Sequence, residues 1–331
     1  MIKTFTGVSL VKSSRVSLGR YFALLLLIGI AAFMAPGFLT LQNILNLLRS
    51  FSFLGFISIG MTFVILSAGL DLSVASLLAL CSVLTALFQH WGIYLGHTTT
   101  LSYIFPFPFI LITVLLIGSF LGFLNGIVIT KLKITDFVST LGMMVFARGL
   151  AFAISGGRSI FEVGAETLFM GRGMVGIIPF VACLWVFAIM FCTIVLKYTA
   201  FGQRLYVSGE NPEAARLSGV DPHIYKIAAY TISGFFAALA GVCMTGRLNV
   251  GEPRVAQGWE LDAIAAVVIG GTSFAGGQGS VVKTILGVAI IGLIRNILSL
   301  LGILPSPQQM IMGLVLLFAV ILQRLGERNS D

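Results

Sequence analysis

The sequence predicts an all-α polytopic membrane protein, and three observations carry that prediction. Of its 331 residues 58% are hydrophobic and only 10% charged, against roughly a quarter charged in a soluble domain. The mean hydropathy of +1.05 leaves more apolar surface than one core can hide, enough for about ten helices at about 20 residues a span. The apolar residues also run unbroken instead of alternating, so backbone groups in lipid must be satisfied within helices and not between the strands of a barrel.

The first twenty residues carry Lys3, Lys12, Arg15 and Arg20 and then give way to the apolar run Tyr21 to Ala35. No small-residue cleavage site follows it, so it reads as a retained first helix and not a removed signal. Further apolar stretches follow at Phe51 to Ala68, Leu72 to Gln89, Phe107 to Thr130, Phe137 to Ile154 and Gly176 to Leu196. The series closes with Ile227 to Met244, Leu261 to Phe274, Val281 to Leu301 and Gln309 to Leu322. The connections near Asp71 and Gly277 are very short. Either is a tight turn between two full spans or a re-entrant break, which is tolerated at membrane depth only when buried in protein or lining a cavity.

Threading the chain through these ten stretches puts thirteen of the twenty basic residues inside and five, Arg49, Arg158, Arg172, Arg247 and Arg254, outside. Arg148 and Arg295 fall within spans. Basic residues favour the cytoplasmic side, so both termini and the loop 197–226 are expected there. The chain reads as one membrane domain over 1–331 with that loop as its largest cytoplasmic excursion.

The net charge of +8 comes from basic residues scattered singly, which argues for topology signals and against a nucleic-acid face. Cys81, Cys183, Cys192 and Cys243 lie in apolar stretches without a C-x-x-C pair, so neither a disulfide framework nor a metal cage is indicated. His90, His97 and His223 form no ligand motif. No G-x-x-x-x-G-K-[ST] occurs, so no ATP site and no cofactor is expected in this chain.

Three segments stand out. In the loop 197–226, Asn211 suits a helix cap, Pro212 the first helical position, Glu213 the positive end of the dipole and Gly219 the stop. Ala214, Ala215, Leu217 and Val220 give that short helix an apolar side. It rests on the protein's own inner face or docks a separate cytoplasmic protein. The stretch ELDAIAAVVIGGTSFAGGQGS, Glu260 to Ser280, breaks into glycines that serve close helix packing and a tight turn. In GMTFVILSAGLDLSVASLLAL, Gly60 to Leu80, Asp71 is the only acid between Met1 and Lys133. It caps the following helix with help from Ser73, or it marks a polar pathway through the bilayer, as ionisable groups there commonly do. Asn125 and Arg148 are further polar groups in or near spans.

These three segments together resemble the permease subunits of bacterial ABC importers for monosaccharides, most closely the ribose-type permeases, and the likeness extends over nearly the whole chain. The words that carry it are GMTFVILSAGLDLSVASLLAL, GENPEAARLSGV and ELDAIAAVVIGGTSFAGGQGS. Ala75, Phe274 and Gln278 depart from the residues usual in that family. The resemblance implies a type II importer-like permease fold in the bacterial inner membrane. It implies a second permease copy or a paralogue, two cytoplasmic ATPase copies that bind ATP and Mg, and a periplasmic sugar-binding protein. It also makes the loop helix a coupling helix, with Asn211, Glu213, Ala214, Ala215, Arg216, Leu217, Ser218 and Gly219 at the ATPase contact. Asp71, Ser73, Asn125, Gly271 and Thr272 would lie near the translocation path.

Two other classes compete. An ion-coupled secondary transporter would want acids or paired charges in mid-membrane, and Asp71 is nearly the whole supply. An intramembrane enzyme would need a nucleophile motif or a metal motif, and neither Gly-x-Ser-x-Gly nor His-Glu-x-x-His is present.

Overall fold

The computed structural model of the chain describes residues 8–94 and 105–328. His97 and both chain ends, whose side of the membrane the charge bias addresses, lie outside the described residues. Thirteen helices are described: α1 (Val8–Met34), α2 (Leu41–Leu66), α3 (Val74–Tyr94), α4 (Phe107–Lys131), α5 (Asp136–Ser155), α6 (Ala165–Arg172), α7 (Phe180–Tyr198), α8 (Ala200–Glu210), α9 (Pro212–Leu217), α10 (Pro222–Leu248), α11 (Trp259–Gly270), α12 (Val281–Leu300) and α13 (Pro305–Arg328). Two small antiparallel pairs accompany them. Strand β1 (Ile160–Phe161) pairs with β4 (Val250–Gly251), and β2 (Met174–Val175) with β3 (Ile178–Pro179).

Each of the ten apolar stretches coincides with a helix, but they are not equivalent. Six helices, α2, α4, α5, α7, α10 and α12, are long and apolar enough to cross a membrane. Shorter apolar segments occupy Gly19–Met34, Val74–Gln89 and Pro305–Ile321. Helix α11 has 12 residues. At 1.5 Å per residue it is about 18 Å long, well short of the roughly 30 Å hydrocarbon core. Leu261 to Phe274 is therefore a half-length helix that ends in the glycine turn.

Helix α10 is the centre of the bundle. Its glycine-bearing face meets α4, where Gly118, Gly122 and Gly126 recur every four residues. A methyl at Gly122 would overlap the Tyr230 carbonyl, and one at Gly126 would lie 2.7 Å from the Ile227 Cα. Small residues at this spacing let two apolar helices approach closely in lipid, where van der Waals packing replaces the hydrophobic drive.

Residue pairs along α10 give the direction of its other neighbours. Arg247 bonds Asn46 at 3.1 Å, Phe236 stacks on Phe56, and Gly60 abuts Ser233, so α2 runs antiparallel to α10. Ser233 meets Asp71 and Thr245 meets Ser82, so α3 runs parallel to it. The chain therefore reverses at residues 67–73. That turn is buried beside Tyr230, eight residues or about 12 Å along α10 from Pro222. Helix α12 is held to α2 by a reciprocal Asn43–Asn296 amide pair and by Thr62 against Thr284 at 2.9 Å.

Candidate functional site

The turn between α2 and α3 gathers three of the five residues singled out for a polar pathway. One Asp71 carboxylate oxygen accepts from the Ser73 amide at 2.9 Å and the Ser73 hydroxyl at 2.6 Å. The other accepts from Ser233 at 2.8 Å. Asn125 Nδ2 donates to Ser73 Oγ at 3.1 Å, and Ser139 donates to the Asn125 carbonyl at 3.4 Å. Asp71, Ser73, Asn125 and Ser233 are all buried. Asp71 stands ahead of the helix, which begins at Val74, and its oxygens close a turn on Ser73. The helix thus starts two residues later than the Leu72 start read from the sequence, and the Asp71 carboxylate accepts from the Ser73 amide just ahead of it.

Helix α10 grips this turn at three levels one helical turn apart. Tyr230 Oη donates to the Leu70 carbonyl at 3.0 Å and accepts from the Leu70 amide at 3.2 Å. Lys226 pairs with Asp136 at 2.7 Å and reaches the Ala68 carbonyl at 3.4 Å. Lys226, Tyr230 and Ser233 fall at i, i+4 and i+7, one face of a helix. Serine and tyrosine inside an apolar run carry no pattern of their own, so Ser233 and Tyr230 were not identified from sequence.

The glycine break lies nearby but makes a separate group. Gly271 follows α11 at φ 102°, and Arg20 Nη1 donates to the Gly270 carbonyl at 2.9 Å. Gly277 donates to Leu66 at 3.0 Å, so the loop seats on the end of α2. Tyr206 of α8 donates to the Gly279 carbonyl at 2.9 Å, and burial pushes its phenol above the ordinary value, which keeps it a donor. Thr272 is buried with its amide on Val267, and Gly271 is half-buried. Among the described residues no hydrogen bond joins Gly271 or Thr272 to Asp71, Ser73 or Asn125.

The short helix α9 forms as its signals require. Asn211 accepts from the Glu213 and Ala214 amides at 3.1 and 3.0 Å, Pro212 takes the first position, and Gly219 adopts φ 78°. Ser218 turns back to the Ala214 carbonyl at 3.0 Å, and Arg216 meets His223 at 2.7 Å. Its apolar residues do not share one exposed side. Ala215 is fully buried, whereas Leu217 is 87% exposed, as is Ile224 at 61%. A helix of six residues has under two turns, too few for periodicity to fix which residues face out.

Two further charged groups lie within the bundle. Arg148 of α5 donates to the carbonyls of Pro253 at 2.7 Å and Val255 at 2.9 Å, and lies 3.4 Å from that of Ala75. Asp262 of α11, nearly inaccessible, pairs with Arg295 of α12. Arg295 is a lone charge in an apolar run, whereas Asp262 follows Glu260 at the start of α11, and no local pattern links the two.

Comparison with known proteins adds a consistent set of likenesses. The family described as Branched-chain amino acid transport system / permease component matches residues 43–320. The ribose import permease protein RbsC of Bacillus subtilis (strain 168) is 41% identical over 309 residues, covering 93% of this chain and 92% of that protein. RbsC of Haemophilus influenzae is 39% identical over 306 residues, 91% of each. The galactose/methyl galactoside import permease protein MglC of Escherichia coli (strain K12) is 33% identical over 317 residues, covering 93% and 94%. No solved structure matches the chain.

Proposed function

Because this chain belongs to the family described as Branched-chain amino acid transport system / permease component, we propose that it is the membrane-spanning permease subunit of an ABC importer for a monosaccharide. The observation that carries the reading is the match to permeases named for ribose import over about nine-tenths of both chains. The galactose relatives set the wider class as pentoses and hexoses.

In this reading the chain conducts and does not catalyse. ATP and Mg are bound and ATP is hydrolysed in separate cytoplasmic ATPase subunits, which seat on α9. A periplasmic binding protein delivers the sugar, and a second permease, a copy of this chain or a paralogue, completes the path. The ten apolar helices lie in the bacterial inner membrane with both termini in the cytoplasm, α11 being a half-length segment that ends in the glycine turn. The exposed Leu217 and Ile224 support the docking role, since large apolar groups on a loop otherwise meet only water.

The secondary-transporter alternative finds its leading acid, Asp71, already engaged, and the other buried acid, Asp262, paired with Arg295. Three donors already hold the Asp71 carboxylate, and no water-exposed surface remains on it. Reconstitution of this chain with its ATPase and binding protein in proteoliposomes tests the proposal with labelled ribose and galactose. Uptake is expected only with ATP and both partners. Uptake driven by an ion gradient without ATP would replace the importer with the secondary transporter.

A further inference from the structure

Arg148 stands at the thirteenth of the 20 positions of α5, about 18 Å along the helix from Asp136 at 1.5 Å per residue. An arginine so placed normally either snorkels to the interface or faces a polar interior. This one is drawn inward by the carbonyls of Pro253 and Val255 and cannot extend away. Those carbonyls belong to the non-helical segment 252–258, where Ala256 has φ 58° and Gly258 φ 81°. Irregular backbone at membrane depth is tolerated only against protein or a water-filled cavity.

The segment has one side of each kind. Pro253 and Ala256 are buried, while Gln257 is exposed and Glu260 half-exposed. Gln257 and Glu260 share with Arg148 an open cleft of about 440 Å³, lined also by Ser76, Met144 and Phe152. Two helix beginnings converge there, with Ser76 in the first turn of α3 and Glu260 in the first turn of α11. Among the described residues Glu260 makes no ion pair with Arg148. Polar groups of both signs thus face outward from α5, most of whose surface the rest of the chain leaves uncovered. Facing hydrocarbon there would cost several kcal/mol. A separate exterior groove on α7 and α10, lined by Phe187, Phe191 and Phe235, is wholly apolar and suits lipid.

We propose that the cleft between α5 and the 252–260 segment is a hydroxyl-binding station on the translocation path. Its ligand is a polyhydroxylated monosaccharide that donates to Glu260, accepts from Arg148 and Gln257, and lays its C–H face on Met144 and Phe152. The inference rests on the importer reading above. A cleft of this size with a few convergent polar groups on an apolar wall has the form of a small-molecule site, and side chains that both donate and accept suit adjacent hydroxyls.

The test uses the complete importer in proteoliposomes. Glu260→Gln and Gln257→Ala should each lower ATP-dependent ribose or galactose uptake about tenfold, the loss expected for one charged or bidentate hydrogen bond, while the variants still assemble with the ATPase. Phe187→Leu, on the lipid side, should transport normally. Independently, Gln257→Cys in a chain freed of native cysteines should react with a charged, water-soluble thiol reagent, and excess sugar should slow that reaction. Normal uptake by both site variants alongside active wild type overturns the station and leaves the importer standing. Gln257→Cys that reacts only with lipid-soluble reagents, or with none because a second copy fills the cleft, also overturns it. A wild-type complex with no ATP-dependent uptake of either sugar overturns the importer reading and the station with it.

Discussion

Ser233 donates a 2.8 Å hydrogen bond to the Asp71 carboxylate across 162 residues of sequence, and this bond ties the α2–α3 turn to the central helix α10. With Tyr230 on Leu70 and Lys226 on Asp136, it makes one face of α10 the support for a reversal of the chain inside the bundle. The carboxylate gathers three donors with no water in reach, so its removal strands each of them.

Asp71→Leu is therefore expected to destabilise strongly, since each buried donor left unpaired costs about 1–3 kcal/mol. Asp71→Asn keeps one acceptor, and the serine hydroxyls can rotate to accept from the new amide, so its cost should be near the lower end of that range. Thermal unfolding in detergent measures both. Equal melting temperatures for the leucine variant and wild type would show that the network does not hold the turn. If Asp71→Asn is stable yet loses sugar uptake, the acid acts in transport as well.

Close packing of α4 on α10 makes a second, independent prediction. Gly122→Val drives a branched side chain into the Tyr230 carbonyl and should cost at least the 1–3 kcal/mol typical of overpacking. A Cβ at Gly142 on α5 meets nothing within 4 Å, so Gly142→Ala should be nearly neutral. A melting temperature for Gly122→Val no lower than that of Gly142→Ala would contradict the assigned interface.

The orientation of the bundle can be read with single cysteines in a chain lacking its native four. Ile177, 82% exposed at the tip of the β2–β3 hairpin, and Glu213, exposed on α9, sit at opposite ends of α7, whose 19 residues span about 28 Å. Ile177→Cys should label from the periplasm and Glu213→Cys from the cytoplasm. Labelling of both from one side would refute the crossing, and the reversed pattern would invert the topology.

Much of this architecture was legible because lipid imposes simple rules: apolar runs become helices, and Asn211, Pro212 and Gly219 bound α9 as their chemistry requires. The G-x-x-x-G-x-x-x-G run at Gly118, Gly122 and Gly126 was not singled out from the sequence, and its meaning comes from the long-range packing that makes α10 its partner. Hydropathy cannot measure how deep a helix runs, so α11 read as one span among ten although it is half the length of one. Arg148 showed as a polar residue in a span, but its meaning depends on Pro253 and Val255, more than a hundred residues away, whose carbonyls no side-chain pattern reports.

The docking prediction turns on Ala215 and Leu217, whose surroundings are opposite. Read from sequence, Ala215→Glu would place a charge in the ATPase contact. In the structure Ala215 is fully buried against its own chain, so that change forces a charge into the loop's own packing, where an unpaired ion costs several kcal/mol. Ala215→Glu should reduce the amount of folded protein whether or not an ATPase binds there. Leu217 touches little of its own chain and is the sharper probe. Leu217→Glu should insert and fold as wild type does, because a charge on an exposed loop residue changes stability by no more than about 0.5 kcal/mol. It should nevertheless fail to retain the ATPase on purification, and sugar uptake should disappear. If Leu217→Glu co-purifies its ATPase and transports normally, α9 is not the coupling surface, and the contact must be sought elsewhere on the cytoplasmic face.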